Sequence, residues 1–174
     1  MQNAFLSAIL IFSFTATAQA GEINYVGQFS MPHKTVVFGY DDEKSCAADK
    51  GEWISEDQMC LFEVSDDVKV EQTSDGGLKM NVETIGGNAH SCGFEAAAVE
   101  KTTGLLIGSV ETEIYRYNEN TKETEVEKAI CEVSVSYKDS DTVSVSNNGN
   151  CNEFCGARAQ LYIDDAKRVA PKAE

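Results

Sequence analysis

The sequence predicts an all-β domain, an antiparallel sandwich or a small barrel that is stapled by disulfides and carries one short helix. The first observation is a hydrophobic period of two: apolar and polar residues alternate through 131–137 and again through 142–146, on either side of a polar turn. The second is a series of turns rich in Gly, Asn and Asp at short, regular intervals. The third is a set of six cysteines, all beyond residue 20.

The other candidate strands are short runs that favour β-structure, with such turns between them. These strands are predicted over residues 23–29, 35–40, 60–64, 68–72, 78–85, 90–99, 105–109, 111–117, 123–130 and 157–163. Residues 41–50 predict the helix, because Asp41 or Asp42 can cap its start and Gly51 can end it. Residues 96–100 are also compatible with a helical turn. We expect one β domain over residues 21–163 and a flexible, charged tail over 164–174.

The first 20 residues have the features of a removable export signal. Residues 4–14 are almost wholly apolar, and Ala18-Gln19-Ala20 offers the small side chains that signal peptidase accepts. The apolar run is shorter than the roughly 20 residues that a membrane-spanning helix needs. The sequence therefore predicts a periplasmic or secreted protein with no membrane insertion.

The charge of the chain restricts its partners. Asp and Glu number 29 and Lys and Arg 14, so that the formal net charge is −15. Such a charge repels nucleic acid and anionic lipid, whereas it accelerates the encounter with cationic proteins. An acidic surface also serves solubility alone, and that explanation stays open.

The cysteines of an exported domain most simply form three disulfides, although six cysteines allow 15 pairings. Cys46 and Cys60 bracket a short segment, and Cys151 and Cys155 are close enough in sequence to bond. Those two pairs leave Cys92 with Cys131 as a bridge across the sheet. An alternative hypothesis makes Cys151 and Cys155 a copper or thiol-redox carrier site, although the βαβ pattern of thioredoxin-like carriers is missing from the sequence.

No catalytic set is recognisable. The only histidines, His33 and His90, lack a partner motif for nucleophilic catalysis. Paired carboxylates such as Asp66-Asp67 and Asp164-Asp165 point to opposite faces of a strand and are better interpreted as solvated surface. The acidic clusters 41–43 and 139–141 lack the spacing of an EF-hand loop. We therefore predict neither an enzyme nor a cofactor.

A long acidic hairpin is the clearest candidate for a recognition surface. Residues 111–127 contain six glutamates against Arg116 and Lys122, with Tyr115 and Tyr117 on the first strand. Tyrosines within an acidic surround can bind a cationic partner. The alternative is a solvated hairpin with no partner, because charges at an exposed rim contribute little affinity.

Two segments resemble a group of small exported proteobacterial proteins. They are His90-Ser-Cys92-Gly-Phe94-Glu95-Ala-Ala-Ala98 and Cys151-Asn-Glu-Phe154-Cys155-Gly156-Ala-Arg158-Ala159-Gln-Leu161, with the strand of Cys131 between them. The chain departs from the group's pattern at Ala96 and Ile163, where the group has Gly. Some members of the group are associated with inhibition of lysozyme, and the resemblance implies such a function here.

Arg158 is one of only three arginines in the chain. We expect it to form a structural ion pair with Glu95 or Glu153, or else to contact a partner directly. The candidate partner-binding residues are therefore Arg158, Glu95, Tyr115 and Tyr117.

The function predicted from these residues is that of an exported acidic binding protein. The specific hypothesis is an inhibitor of a cationic cell-wall hydrolase such as lysozyme, which acts by occlusion. The alternatives are the copper or thiol-redox carrier and an immunity protein against a periplasmic toxin.

Overall fold

The alternating segments form nine antiparallel strands in the part of the chain that the structure describes. The structure is a computed structural model that describes residues 23–170, so the predicted export signal at 1–20 lies outside the described residues. The strands are β1 (Gly27–Val37), β2 (Glu52–Ile54), β3 (Met59–Gln72), β4 (Leu78–Ile85), β5 (Ser91–Thr102), β6 (Leu105–Asn118), β7 (Glu123–Tyr137), β8 (Thr142–Asn147) and β9 (Ile163–Val169). One α-helix, α1 (Glu43–Ala48), joins β1 to β2. The predicted all-β class with one short helix is confirmed.

Eight of the strands close into a barrel. The order β1-β9-β8-β7-β6-β5-β4-β3 returns to its start because β1 also pairs with β3, while β2 is attached to β3 outside this ring. Of the two architectures that the sequence allowed, the structure has the barrel.

Within the described residues, no helix is long and apolar enough to cross a membrane.

Side chains fill the interior of the barrel, as expected for a ring of eight strands. The largest fully buried side chains include Phe29, Phe94, Met80 and Leu106. Gly108 faces these residues, and a Cβ at its position would lie 2.9 Å from the Met80 sulfur and 3.1 Å from Phe94 Cε1. The missing side chain therefore makes room for the two large ones.

The helix is shorter than predicted and begins at a capping box. The Asp42 carboxylate accepts a hydrogen bond of 2.8 Å from the Ser45 backbone N–H, which holds the pKa of Asp42 below its ordinary value. Cys46 on this helix is bonded to Cys60 at the start of β3.

The prediction of a flexible tail over residues 164–174 is wrong for residues 164–169, which belong to β9. The predicted strand at 157–163 is also wrong, because only Ile163 of that range lies in a strand. Ile163 and Ala166 are the buried residues of β9, so the apolar spacing is three instead of two. Asp165, with φ of 61°, lies where the register to β8 shifts, and this irregularity hides the strand from a search for strict alternation.

Three disulfides join the elements, and two of the three predicted pairings are wrong. Cys46–Cys60 is confirmed, whereas the other bonds are Cys92–Cys155 and Cys131–Cys151. Cys92 is on β5 and Cys131 on β7, and β6 lies between these strands. Two strand spacings amount to about 10 Å, which is beyond the reach of a disulfide. Three such bonds indicate an oxidising, non-cytoplasmic location.

Candidate binding surface

The candidate residues Arg158, Tyr115 and Tyr117 lie near one end of the barrel, and a hairpin projects from this end. Glu95 lies instead on the outer wall of β5. The pairing of β5 with β6 ends at Gly108, and the pairing of β8 with β7 ends at Val133. The ladder between β6 and β7 continues far beyond, to Asn118 opposite Glu123. Residues 111–118 and 123–130, with the turn between them, are called the hairpin below. The predicted acidic hairpin therefore exists, and within the described part of the chain its two strands pair only with each other.

The outer face of the hairpin is apolar at its centre. Tyr115 and Tyr117 are each 61% exposed, and Val126, directly opposite Tyr115, is 55% exposed. Ile130 extends this exposed row towards the barrel. Glu111 and Glu113 lie on the same face, so the apolar row has an acidic margin. Aromatic residues with a polar margin are typical of protein interfaces.

The inner face of the hairpin is predominantly acidic. Glu123, Glu125 and Glu127 share this face, since alternate residues of a strand point the same way. Arg116 Nε donates to Glu127 Oε2 at 3.1 Å, and Asn118 Nδ2 donates to Glu125 Oε1 at 2.7 Å. Because this face has one arginine and three glutamates, it retains a negative charge.

The segment between β8 and β9 braces the base of the hairpin from both sides. On the β6 side, the Glu153 carboxylate accepts a hydrogen bond of 2.7 Å from the Thr112 hydroxyl. On the β7 side, Asn148 Nδ2 donates to the Ile130 carbonyl at 2.8 Å, and Asn148 Oδ1 accepts from the Glu132 N–H at 3.2 Å. The disulfides of Cys151 and Cys155 hold this segment to β7 and β5. The cysteines therefore position the hairpin.

The two segments that carry the family resemblance meet in space. Cys92 bonds Cys155, the Gly156 N–H donates to the Ser91 carbonyl at 2.8 Å, and a Cβ at Gly156 would lie 3.0 Å from His90 Cβ. These residues therefore have a structural role, because they hold the segment that follows β8 against the start of β5.

The predicted ion pair of Arg158 with Glu95 or Glu153 is wrong. The Arg158 guanidinium carbon lies 5.9 Å from the centre of the Phe38 ring. Glu95, on the outer wall of β5, accepts from Lys79 at 2.8 Å, and Glu153 is occupied at the base of the hairpin. The structure thus brings Tyr115 and Tyr117 together but leaves Arg158 and Glu95 at separate places.

Sequence reasoning missed a buried carboxylate that lines the same cavity as Arg158. Asp66 is only 5% exposed, and it accepts hydrogen bonds from the Ile85 N–H at 2.7 Å and from His33 Nε2 at 3.1 Å. The interpretation of Asp66 as solvated surface is therefore wrong. Its register with the inward-facing Val68 and Val70 is the signal that could have placed it inside the barrel.

The described residues contain no group of three or more His, Cys, Asp or Glu side chains that could hold a metal ion. Cys151 and Cys155 belong to different disulfides, so they do not present the adjacent thiols that a carrier site requires.

Fold and surface together define a class: a disulfide-stapled antiparallel barrel that projects one acidic, tyrosine-bearing hairpin. No family model, curated protein or solved structure matches this chain.

Proposed function

We propose that this chain is a periplasmic or secreted binding protein for a cationic protein and that it binds through the hairpin. The observation that carries the proposal is the projection of residues 111–130 beyond the barrel with four large apolar side chains exposed on one face. A monomer gains nothing from such a row, because burial of the same side chains would stabilise it. A partner that covers the row accounts for it.

The charge of the chain indicates the chemistry of the partner. The net charge is −15, and the hairpin contains six glutamates against Arg116, Lys122 and Lys128. Complementary charge raises the rate of encounter, while desolvated aromatic side chains supply most of the affinity. The glutamates therefore serve to attract the partner, and Tyr115 and Tyr117 serve to hold it.

The most specific candidate is inhibition of a cationic cell-wall hydrolase such as lysozyme. The hairpin extends beyond the neighbouring strands, and occlusion of a substrate cleft by such a projection requires no chemistry from this chain. The resemblance of the segments around Cys92 and Cys155 to exported proteins associated with lysozyme inhibition supports this candidate. An immunity protein would use the same surface on a toxin, so the target distinguishes the two functions.

We expect the association rate with a purified basic lysozyme to fall roughly tenfold as the salt concentration rises from about 0.05 M to 0.5 M. The reason is that salt screens the attraction between the acidic surface and the enzyme. Stopped-flow fluorescence measures this rate, and turbidity of cell-wall suspensions measures inhibition. Binding whose rate does not depend on salt would contradict the role of the glutamates.

The double substitution Tyr115→Ser and Tyr117→Ser should weaken binding of the same lysozyme by roughly 30-fold, as expected when an interface loses about 2 kcal/mol of aromatic contact. Isothermal titration calorimetry gives the dissociation constants. Tyr162→Ser is the matched control, since Tyr162 is 59% exposed but lies outside the hairpin. Equal effects of the double variant and the control would refute the hairpin as the contact surface.

A further inference from the structure

The outer edge of β7 within the hairpin has no partner strand in the described structure. Among the described residues, 123–130 pair only with β6, because β8 ends at Asn147, opposite Val133. Seven of these eight residues are exposed, and Ala129 is half-buried. A strand with an unpaired edge presents backbone donors and acceptors to any extended chain.

The orientation of these backbone groups follows from the base of the hairpin. The Glu132 N–H and C=O both bond to Asn148, and the Ile130 carbonyl accepts from Asn148 Nδ2, so these groups point to the β8 side. Backbone groups alternate sides along a strand. The N–H and C=O of Lys128, Val126 and Thr124 therefore also point outwards, whereas those of the glutamates between them bond to β6.

We propose that this edge binds an extended segment of the cationic partner by strand addition, in which the segment alternates Lys or Arg with apolar residues. The inference rests on the proposed function and specifies how the partner is held. An added strand would occupy the position that β8 would take if it continued beyond Asn147. Main-chain hydrogen bonds would supply affinity, and the two faces of the hairpin would supply specificity.

The faces of the hairpin determine the alternation of the segment. On the inner face, the side chains of an added strand would lie beside Glu123, Glu125 and Glu127, which favours Lys or Arg. On the outer face, they would lie beside Thr124, Val126 and Lys128, next to the exposed tyrosines, which favours apolar residues at the centre.

The same glutamates disfavour a second copy of this chain as the occupant. If two β7 edges paired antiparallel, the glutamates of one copy would lie beside those of the other. Like charges opposite one another destabilise a sheet. The edge is thus protected against self-association and remains open to a strand of opposite charge.

Hydrogen exchange of the full protein tests this inference with a synthetic heptapeptide that alternates lysine and valine. At saturation, we expect exchange at the amides of Thr124, Val126 and Lys128 to slow at least about tenfold. The control peptide has the same composition with its lysines grouped at one end, and it should protect these amides less. Failure of the alternating peptide to protect the three amides would overturn strand addition, whether or not the peptide binds.

A pair of variants distinguishes the contribution of the β7 backbone edge to binding from that of the Val126 side chain. Val126→Pro removes an outward N–H but leaves the hydrogen bonds to β6, while Val126→Ala removes the side chain and keeps the N–H. We expect the proline variant to bind the alternating peptide and a basic lysozyme about tenfold more weakly than the alanine variant does. Unchanged chemical shifts of the barrel amides would show that both variants are folded.

Equal binding of the two variants to lysozyme would overturn strand addition and leave the proposed function intact. The proposed function itself fails if the wild-type protein shows no binding to cationic proteins. A dimer that Val126→Pro abolishes in sedimentation would assign the edge to a second copy and would also overturn the inference.

Discussion

The double substitution Cys92→Ala and Cys155→Ala is expected to reduce the free energy of unfolding by about 4 kcal/mol, because this bond closes a segment of 63 residues. The closure restricts the unfolded chain and fastens the segment after β8 to β5. Denaturant titration followed by circular dichroism measures the loss. Non-reducing peptide mapping of the wild-type protein checks that the bond is present.

The same variant should also loosen the base of the hairpin. Glu153 lies close to Cys155 in sequence, and its hydrogen bond to Thr112 depends on the position of this segment. We expect faster hydrogen exchange around Thr112 in the variant. The matched control removes Cys46 and Cys60, whose bond closes only 14 residues, at a cost of about 3 kcal/mol and without effect on Thr112. Identical exchange at Thr112 in both variants would contradict the bracing role.

Phe94→Ala is expected to cost about 3–5 kcal/mol of unfolding free energy, because it leaves a cavity in a filled barrel. The Phe94 side chain is 1% exposed, and its ring contacts the Phe154 ring edge to face at a centroid distance of 5.6 Å. The loss therefore affects both the core and the turn between the two long-range disulfides. Thermal and denaturant unfolding measure it.

Phe38→Ala is the control for this substitution. Phe38 is 52% exposed and contacts Arg158 through its ring face, so its removal should cost no more than about 1 kcal/mol. If the two alanine variants were equally stable, Phe94 would not be part of a close-packed interior. A large effect of Phe38→Ala alone would instead show that the Phe38 ring, with its contact to Arg158, is needed for folding.

Local patterns in the sequence determined most of the strands. Alternation over 78–85 predicts β4 with its bounds, and the acidic run 111–127 predicts the hairpin with Tyr115 and Tyr117 on one strand. The capping residues predict the helix near Asp42. Each of these signals lies within a few residues of its own element, so no knowledge of distant partners is needed.

Only the tertiary structure decided between a sandwich and a barrel. Closure depends on the pairing of Gln28 with Val169, near opposite ends of the described chain, and alternation within a strand does not indicate its neighbours. The disulfides follow the same rule, because the position of β6 between β5 and β7 excludes the bond that sequence spacing favours.

The features of the candidate binding surface likewise fall into those that the sequence determined and those that only the tertiary structure decided. The sequence by itself determined that the hairpin is acidic and bears tyrosines. The tertiary structure decided that the hairpin extends beyond its neighbours, that its β7 edge is unpaired, and that Arg158 and Glu95 lie apart. The physical reason is that charge and alternation belong to single strands, whereas exposure depends on where the adjacent strands end.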